Sequence, residues 1–204
     1  MTTSASVPRQ FAGIAFKLPD TGMTDDQFYR FCQLNPDLRI ERTPDKFIVI
    51  MPPTNSDTGN RNFSLLGELY VWNRQYHLGK GFDSSTGFKL PNGAERSPDA
   101  AWISNERWES LPLEMRRRFA PICPDFVAEI RSPDQNMMAL KEKMEEYIAG
   151  GCQLGWLIDP QNRETWIYRA GITTQCIAFN ETLSGGDLMP GFSLRMDTIW
   201  EKEE

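Results

Sequence analysis

The stretch from Pro121 to Pro160 constrains the fold more than any other. It reads as a buried strand, a sharp helix start, an amphipathic helix, a glycine stop and a second buried strand. Phe126, Val127, Ala128 and Ile130 make the first strand apolar, and Met137, Leu140, Met144, Tyr147 and Ile148 share one face of the helix. Ser132 and Gln135 are spaced for a capping box with Pro133 at the first helical position, and Gly150 with Gly151 ends the helix before the strand of LGWLIDP. One residue breaks the first apolar run. A carboxylate at Glu129 is costly away from water unless something pairs it, so it requires either a structural Arg or Lys or a metal ion.

A chain of 204 residues with 40% hydrophobic content can bury one sizeable core, which predicts a single domain over residues 16–204 behind a disordered or loosely attached stretch, 1–15. No window reaches 18 consecutive apolar residues and the first ten lack the pattern of a signal peptide, so the expectation is a cytoplasmic protein with no membrane contact. Cys32, Cys123, Cys152 and Cys176 form no CxxC pair, and His77 is the sole histidine. Zinc ribbons, redox motifs and all-histidine zinc sites are thereby excluded, while a hard-metal site built from carboxylates stays open. The net charge of −6 argues against coating nucleic acid by bulk electrostatics, so any nucleic-acid role needs a local cationic patch.

Earlier in the chain, Thr24 and Gln27 suit a capping box for a short helix that ends before Asn35 and Pro36. Residues Leu38 to Met51 read as a hairpin about a Pro-Asp-Lys turn, with Glu41 on its first strand expected to be solvated. After a loop over PPTNSDTGN, a core helix is expected with Phe63, Leu66, Leu69, Tyr70 and Asn73 or Arg74 at helical spacing, stopping at Gly79. Two strand-like pieces follow, joined by Pro91-Asn92-Gly93, with Asp99 at the mouth of the second. Arg116, Arg117 and Arg118 are expected on a solvated helix face. Lys141 and Lys143 fall on opposite margins of the later helix's apolar face, and periodicity does not choose which one reaches the sheet edge.

Two Pro-Asp pairs compete to partner Glu129. Asp125 lies four residues away on the same strand, roughly 13 Å at the strand rise, too far to share an ion whose oxygens sit at about 2.1 Å. Asp99, on a neighbouring strand roughly 5 Å across, can reach. Geometry therefore favours Asp99 with Glu129.

In this order, SPDAAWIS, PDFVAEIRSP, EKMEEYIAGG and LGWLIDP resemble the Uma-type family of restriction-endonuclease-like proteins, within the PD-(D/E)XK nuclease superfamily, over about residues 20 to 195. The resemblance implies a restriction endonuclease-like α/β core with a central mixed β-sheet flanked by helices. It further implies an endodeoxyribonuclease that uses Mg2+, for which Mn2+ substitutes, and no organic cofactor. Asp99 and Glu129 would bind the metal, with Glu41 completing its surroundings, and DNA would be the substrate. The sequence departs from the superfamily at one point, where Arg131 occupies the place of the lysine two residues after Glu129. The resemblance fills that gap with Lys143 as the catalytic lysine and leaves Lys141 facing solvent. Arg131 cannot act as a base but can hold a phosphate, which makes it a candidate substrate clamp. A homodimer follows by analogy with enzymes that cut both strands. A different class remains open, a catalytically silent nuclease-fold module that binds DNA or a protein partner.

Overall fold

The structure is a computed structural model that describes residues 13–18 and 22–196. Expectations for residues 1–12 and for the last eight lie outside the described residues. In chain order the elements are β1 (Ile14–Lys17), α1 (Asp25–Leu34), β2 (Arg39–Arg42), β3 (Phe47–Met51), α2 (Ser56–Tyr76), β4 (Gly79–Asp83), β5 (Phe88–Lys89), β6 (Glu95–Arg96), β7 (Ala100–Ser104), α3 (Asn105–Ser110), α4 (Leu113–Arg116), β8 (Phe126–Ile130), α5 (Met137–Ala149), β9 (Leu154–Asp159), β10 (Glu164–Arg169), β11 (Ile172–Ala178), β12 (Thr182–Ser184) and β13 (Ser193–Arg195).

A six-stranded mixed sheet, ordered β11-β10-β9-β8-β7-β4, forms the centre. Within it β8 and β9 run parallel, which two sequential strands can do only through a crossover such as α5. The remaining neighbours are antiparallel. Alternation along β8 sends Phe126, Ala128 and Ile130 to one face, where Leu65, Leu69 and Trp72 of α2 cover them. Val127 faces the other way, against Leu140, Met144 and Tyr147 of α5. Helix α5 lies close to the sheet because β9 carries Gly155, where a Cβ would meet Met144 Cε at 2.5 Å. No helix among the described residues is long and apolar enough to cross a membrane.

A second sheet, ordered β1-β3-β2-β6-β5, is fully antiparallel. The β2–β3 hairpin follows the sequence reading, and the strand that pairs with it begins at Ile14, two residues before the expected domain start. The two strand-like pieces around Pro91-Asn92-Gly93 behave differently from expectation. Each splits, so that β4 and β7 join the central sheet while β5 and β6 form a short hairpin in the second. The chain therefore leaves the central sheet after Asp83 and returns at Asp99, just ahead of β7.

Two helices also start elsewhere than expected. Helix α2 begins at Ser56, because the Asn55 side chain accepts from Thr58 N, and it ends at His77 in the left-handed conformation rather than at Gly79. Its buried residues are Thr58 and the apolar Leu65, Leu69 and Trp72, with Phe63 and Tyr70 77% and 65% exposed. Apolar residues surround much of this helix, so spacing admitted two stripes and contact with the sheet chose one. Helix α5 starts at Met137, where Asn136 accepts from both Met138 N and Ala139 N. The Ser132–Gln135 pair closes the preceding turn instead, each residue's N–H donating to the other.

The corrected face of α2 makes an exact contrast. Leu69→Ala is expected to cost about 3 kcal/mol through the cavity it leaves, whereas Phe63→Ala stays within about 0.5 kcal/mol. Urea titrations of the two variants check it, and equal losses would restore the other stripe.

Candidate active site

Glu129 follows Val127 on the face of β8 that meets α5, and Lys143 waits there from the margin of that helix. The Lys143 Nζ lies 2.8 Å from Glu129 Oε1 and 3.0 Å from Glu41 Oε1. One turn on, Tyr147 donates its hydroxyl to Glu129 Oε1 at 3.1 Å. Lys141, on the other margin, does not face solvent as expected. Its ammonium sits over the Trp166 ring, 3.2 Å from the centroid.

Glu41 is buried rather than solvated, because β2 is an inner strand of the second sheet and its Glu41 meets Lys143 of α5. Its other oxygen accepts from Arg96 at 3.1 Å, and Oε1 also accepts from Ser97 N at 2.9 Å. Arg96 in turn reaches Glu146 of α5 at 2.6 Å. Glu41 and Glu129 share one ammonium yet titrate in opposite directions. Burial disfavours the Glu41 charge, but Lys143, Arg96 and the Ser97 N–H outweigh it and hold the carboxyl at about 2. For Glu129 burial dominates, Lys143 opposes it, and the nearby charges of Asp99 and Glu41 help to raise the carboxyl to about 7. Burial likewise works against the Lys143 ammonium, and Glu129 and Glu41 more than compensate, so it stays protonated.

Asp99 completes the group from the start of β7. Its Oδ2 accepts from Ile130 N at 2.9 Å, and Oδ1 accepts from Arg39 at 3.3 Å and from Asn62 at 3.5 Å. Asp99, Glu129 and Lys143 line one cleft of about 240 Å³, together with Arg39, Thr58 and Asn62. Glu41 lines a neighbouring pocket of about 270 Å³ that shares Lys143. Among the described residues no three His, Cys, Asp or Glu side chains gather closely enough to hold a metal ion. Of the three carboxylates expected around the metal, Glu41 has its oxygens engaged by Lys143, Arg96 and Ser97 N, while Asp99 and Glu129 line the cleft. Two carboxylates still suit magnesium, a hard cation commonly held by one or two of them with waters making up the shell.

The model of the Uma2 family, described as "Putative restriction endonuclease", matches residues 25–197. The chain belongs to the Uma2 family. The fold is also that of a "putative nuclease belonging to DUF820" from Anabaena variabilis ATCC 29413, with a TM-score of 0.72 at 20% identity over 87% of this chain and 97% of that one. No curated protein matches the sequence. Uma2 membership and this fold together support a nuclease.

In this Uma2 chain Arg131 is not among the residues lining the cleft. Its guanidinium, expected to clamp phosphate, lies 2.8 Å from Asp159 Oδ2 at the end of β9 and donates to Gln135 O in the turn before α5. The arginine run is elsewhere too, with Arg116 donating to Glu109 O and Leu111 O, and Arg118 pairing with Asp26. Asp125 is held by Arg107, Gln153 and Ser104 N. Arg39, Arg96 and Asn62 were missed in the sequence. Arg39 was within reach, since it lies two residues before Glu41 on the same strand and shares its face.

The Glu41 carboxyl yields a pH prediction. A group held below its ordinary value of 4.5 contributes stability that is complete above that value and lost as pH falls toward about 2. Glu41→Gln is expected to cost about 3 kcal/mol near neutral pH, and its deficit against wild type should shrink as the pH drops below 4.5. Denaturation curves across that range test it, and a deficit that does not change with pH would assign the loss to packing.

Proposed function

We propose that this chain is a magnesium-dependent endonuclease that hydrolyses DNA phosphodiester bonds in the cleft between Asp99 and Glu129. The observation that carries this reading is the convergence of Asp99, Glu129 and Lys143 on one cleft in a Uma2 chain. Asp99 and Glu129 fit a divalent ion, because a buried carboxyl pushed up to about 7 gains most from a cation beside it. When bound, magnesium supplies charge neutralisation at the phosphate and a bound water that ionises more easily. Lys143 keeps its proton between two carboxylates, so it donates hydrogen bonds to a phosphate oxygen or to the attacking water and does not serve as a base. Tyr147 holds Glu129 in place from the same helix. The cation expected at Arg131 is supplied by Arg39, which lines the cleft.

DNA that is cut on both strands calls for two sites, and a second copy is the partner this reading takes. Among the described strands β4 is an open edge of the central sheet. Two-fold antiparallel pairing of β4 with itself sets Gly81 opposite its own copy and Lys80 opposite Phe82, beside the exposed Tyr70 of α2. Light scattering that gives only a monomer, in the presence of duplex DNA, would remove this part. The compartment proposed is the cytoplasm, where such DNA would be met.

The silent-module reading keeps one observation in its favour, since Glu41 and Glu129 already occupy Lys143. Cleavage decides between the two. Supercoiled plasmid should be nicked with Mg2+ or Mn2+ and left intact in EDTA, and Glu129→Gln, which keeps an acceptor for Tyr147, should slow nicking about 10³-fold. Undiminished nicking by Glu129→Gln would reject the site, and none by wild type would favour the silent module. Lys143→Met should abolish nicking and also cost about 3 kcal/mol of stability, because it strands two buried carboxylates.

A further inference from the structure

Five buried side-chain polar atoms among the described residues find no hydrogen-bond partner within the protein: Arg39 Nε, Thr58 Oγ1, Asn62 Oδ1, Asn105 Oδ1 and Trp156 Nε1. Buried polar groups are nearly always paired, since each one left alone costs stability. Arg39, Thr58 and Asn62 line the same cleft, the one that holds Asp99, Glu129 and Lys143. Thr58 is itself only 2% exposed.

Their placement is coherent. Thr58 and Asn62 stand one turn apart on α2 and so project from one face of it. Asp99 settles which way the Asn62 amide points, because a carboxylate at 3.5 Å takes the Nδ2 end and leaves Oδ1 as the unpartnered one. Arg39 gives Nη2 to Ser97 O and to Asp99, and keeps Nε unspent. The three atoms also differ usefully in kind. Arg39 Nε only donates, the Thr58 hydroxyl donates or accepts, and Asn62 Oδ1 only accepts. Non-bridging phosphate oxygens accept, whereas water can donate.

We propose that Arg39, Thr58 and Asn62 form a seat for the phosphodiester opposite the Asp99–Glu129 pair, in which Arg39 and Thr58 donate to phosphate oxygens and Asn62 Oδ1 accepts from the water beside it. The seat rests on the nuclease reading for its ligand. It makes α2, whose buried face otherwise serves the core, the element that positions DNA over the carboxylates. The three are binding and positioning residues, and none takes or gives a proton in the reaction.

Thr58→Val removes the hydroxyl at nearly constant shape, and Thr58→Ser keeps it. The measurement is fluorescence anisotropy of a short duplex with calcium replacing magnesium, alongside the melting temperature of each protein. Thr58→Val should bind the duplex about tenfold more weakly than wild type, with a melting temperature equal or higher because an unpartnered polar atom has gone. Thr58→Ser should bind like wild type, and Asn62→Leu, which loses the acceptor for the bridging water, should weaken binding less than Thr58→Val does. Unchanged affinity in Thr58→Val and Asn62→Leu overturns the seat, as does equal weakening by Thr58→Val and Thr58→Ser, which would assign the loss to packing. The two readings fail separately. Duplex binding that depends on Thr58 in a protein that never cleaves with Mg2+ keeps the seat and rejects the nuclease, and cleavage with Thr58→Val affinity intact does the reverse. A wild-type protein that binds no duplex overturns both.

Discussion

The ammonium of Lys143 holds this structure together at its functional end. It comes from α5, which packs on the central sheet, and it meets Glu129 of that sheet and Glu41 of the second sheet within 3.0 Å. Two buried carboxylates on different sheets would repel each other in a low-dielectric interior, and a shared cation turns that repulsion into a joint. Arg96 extends the joint, binding Glu41 on one side and Glu146 of α5 on the other. The packing of α5 against β9 at Gly155 thus does more than fill space, because it sets how far Lys143 can reach.

The division of charge within that joint explains the difference between the two glutamates. Glu41 has two cations and a backbone donor, while Glu129 has one shared cation, a tyrosine hydroxyl and two acidic neighbours. One carboxylate is satisfied by the protein, and the other is left with an electrostatic deficit on the side that opens into the cleft with Asp99. A residue whose needs the fold only half meets, beside unpartnered atoms of Arg39, Thr58 and Asn62, marks where a charged ligand has most to gain. Arg131 shows the converse. Asp159 and Gln135 take the Nη1 and Nε of its guanidinium, although it lies two residues from Glu129 in the chain.

The sequence by itself determined the elements whose cause is local or one-dimensional. The apolar runs of β8 and β9, the face of α5 through Leu140, Met144 and Tyr147, the capping box at Thr24 and the hairpin of β2 and β3 all follow from period, capping chemistry and turn residues. Strand rise was enough to separate Asp125 from Glu129, and the ordered segments were enough to place the chain in its family. Periodicity left open which lysine margin met Glu129, and the family resemblance pointed to Lys143, which the structure places there; only the tertiary structure decided which stripe of α2 was buried, and that Glu41 lay inside a second sheet. Those choices depend on contacts between residues far apart in the chain, such as Lys143 with Glu41, and a helix with apolar residues on several sides carries no local signal to make them. The unpartnered atoms of the cleft were invisible for the same reason, since a missing partner is a property of the surroundings that folding creates and not of the residue.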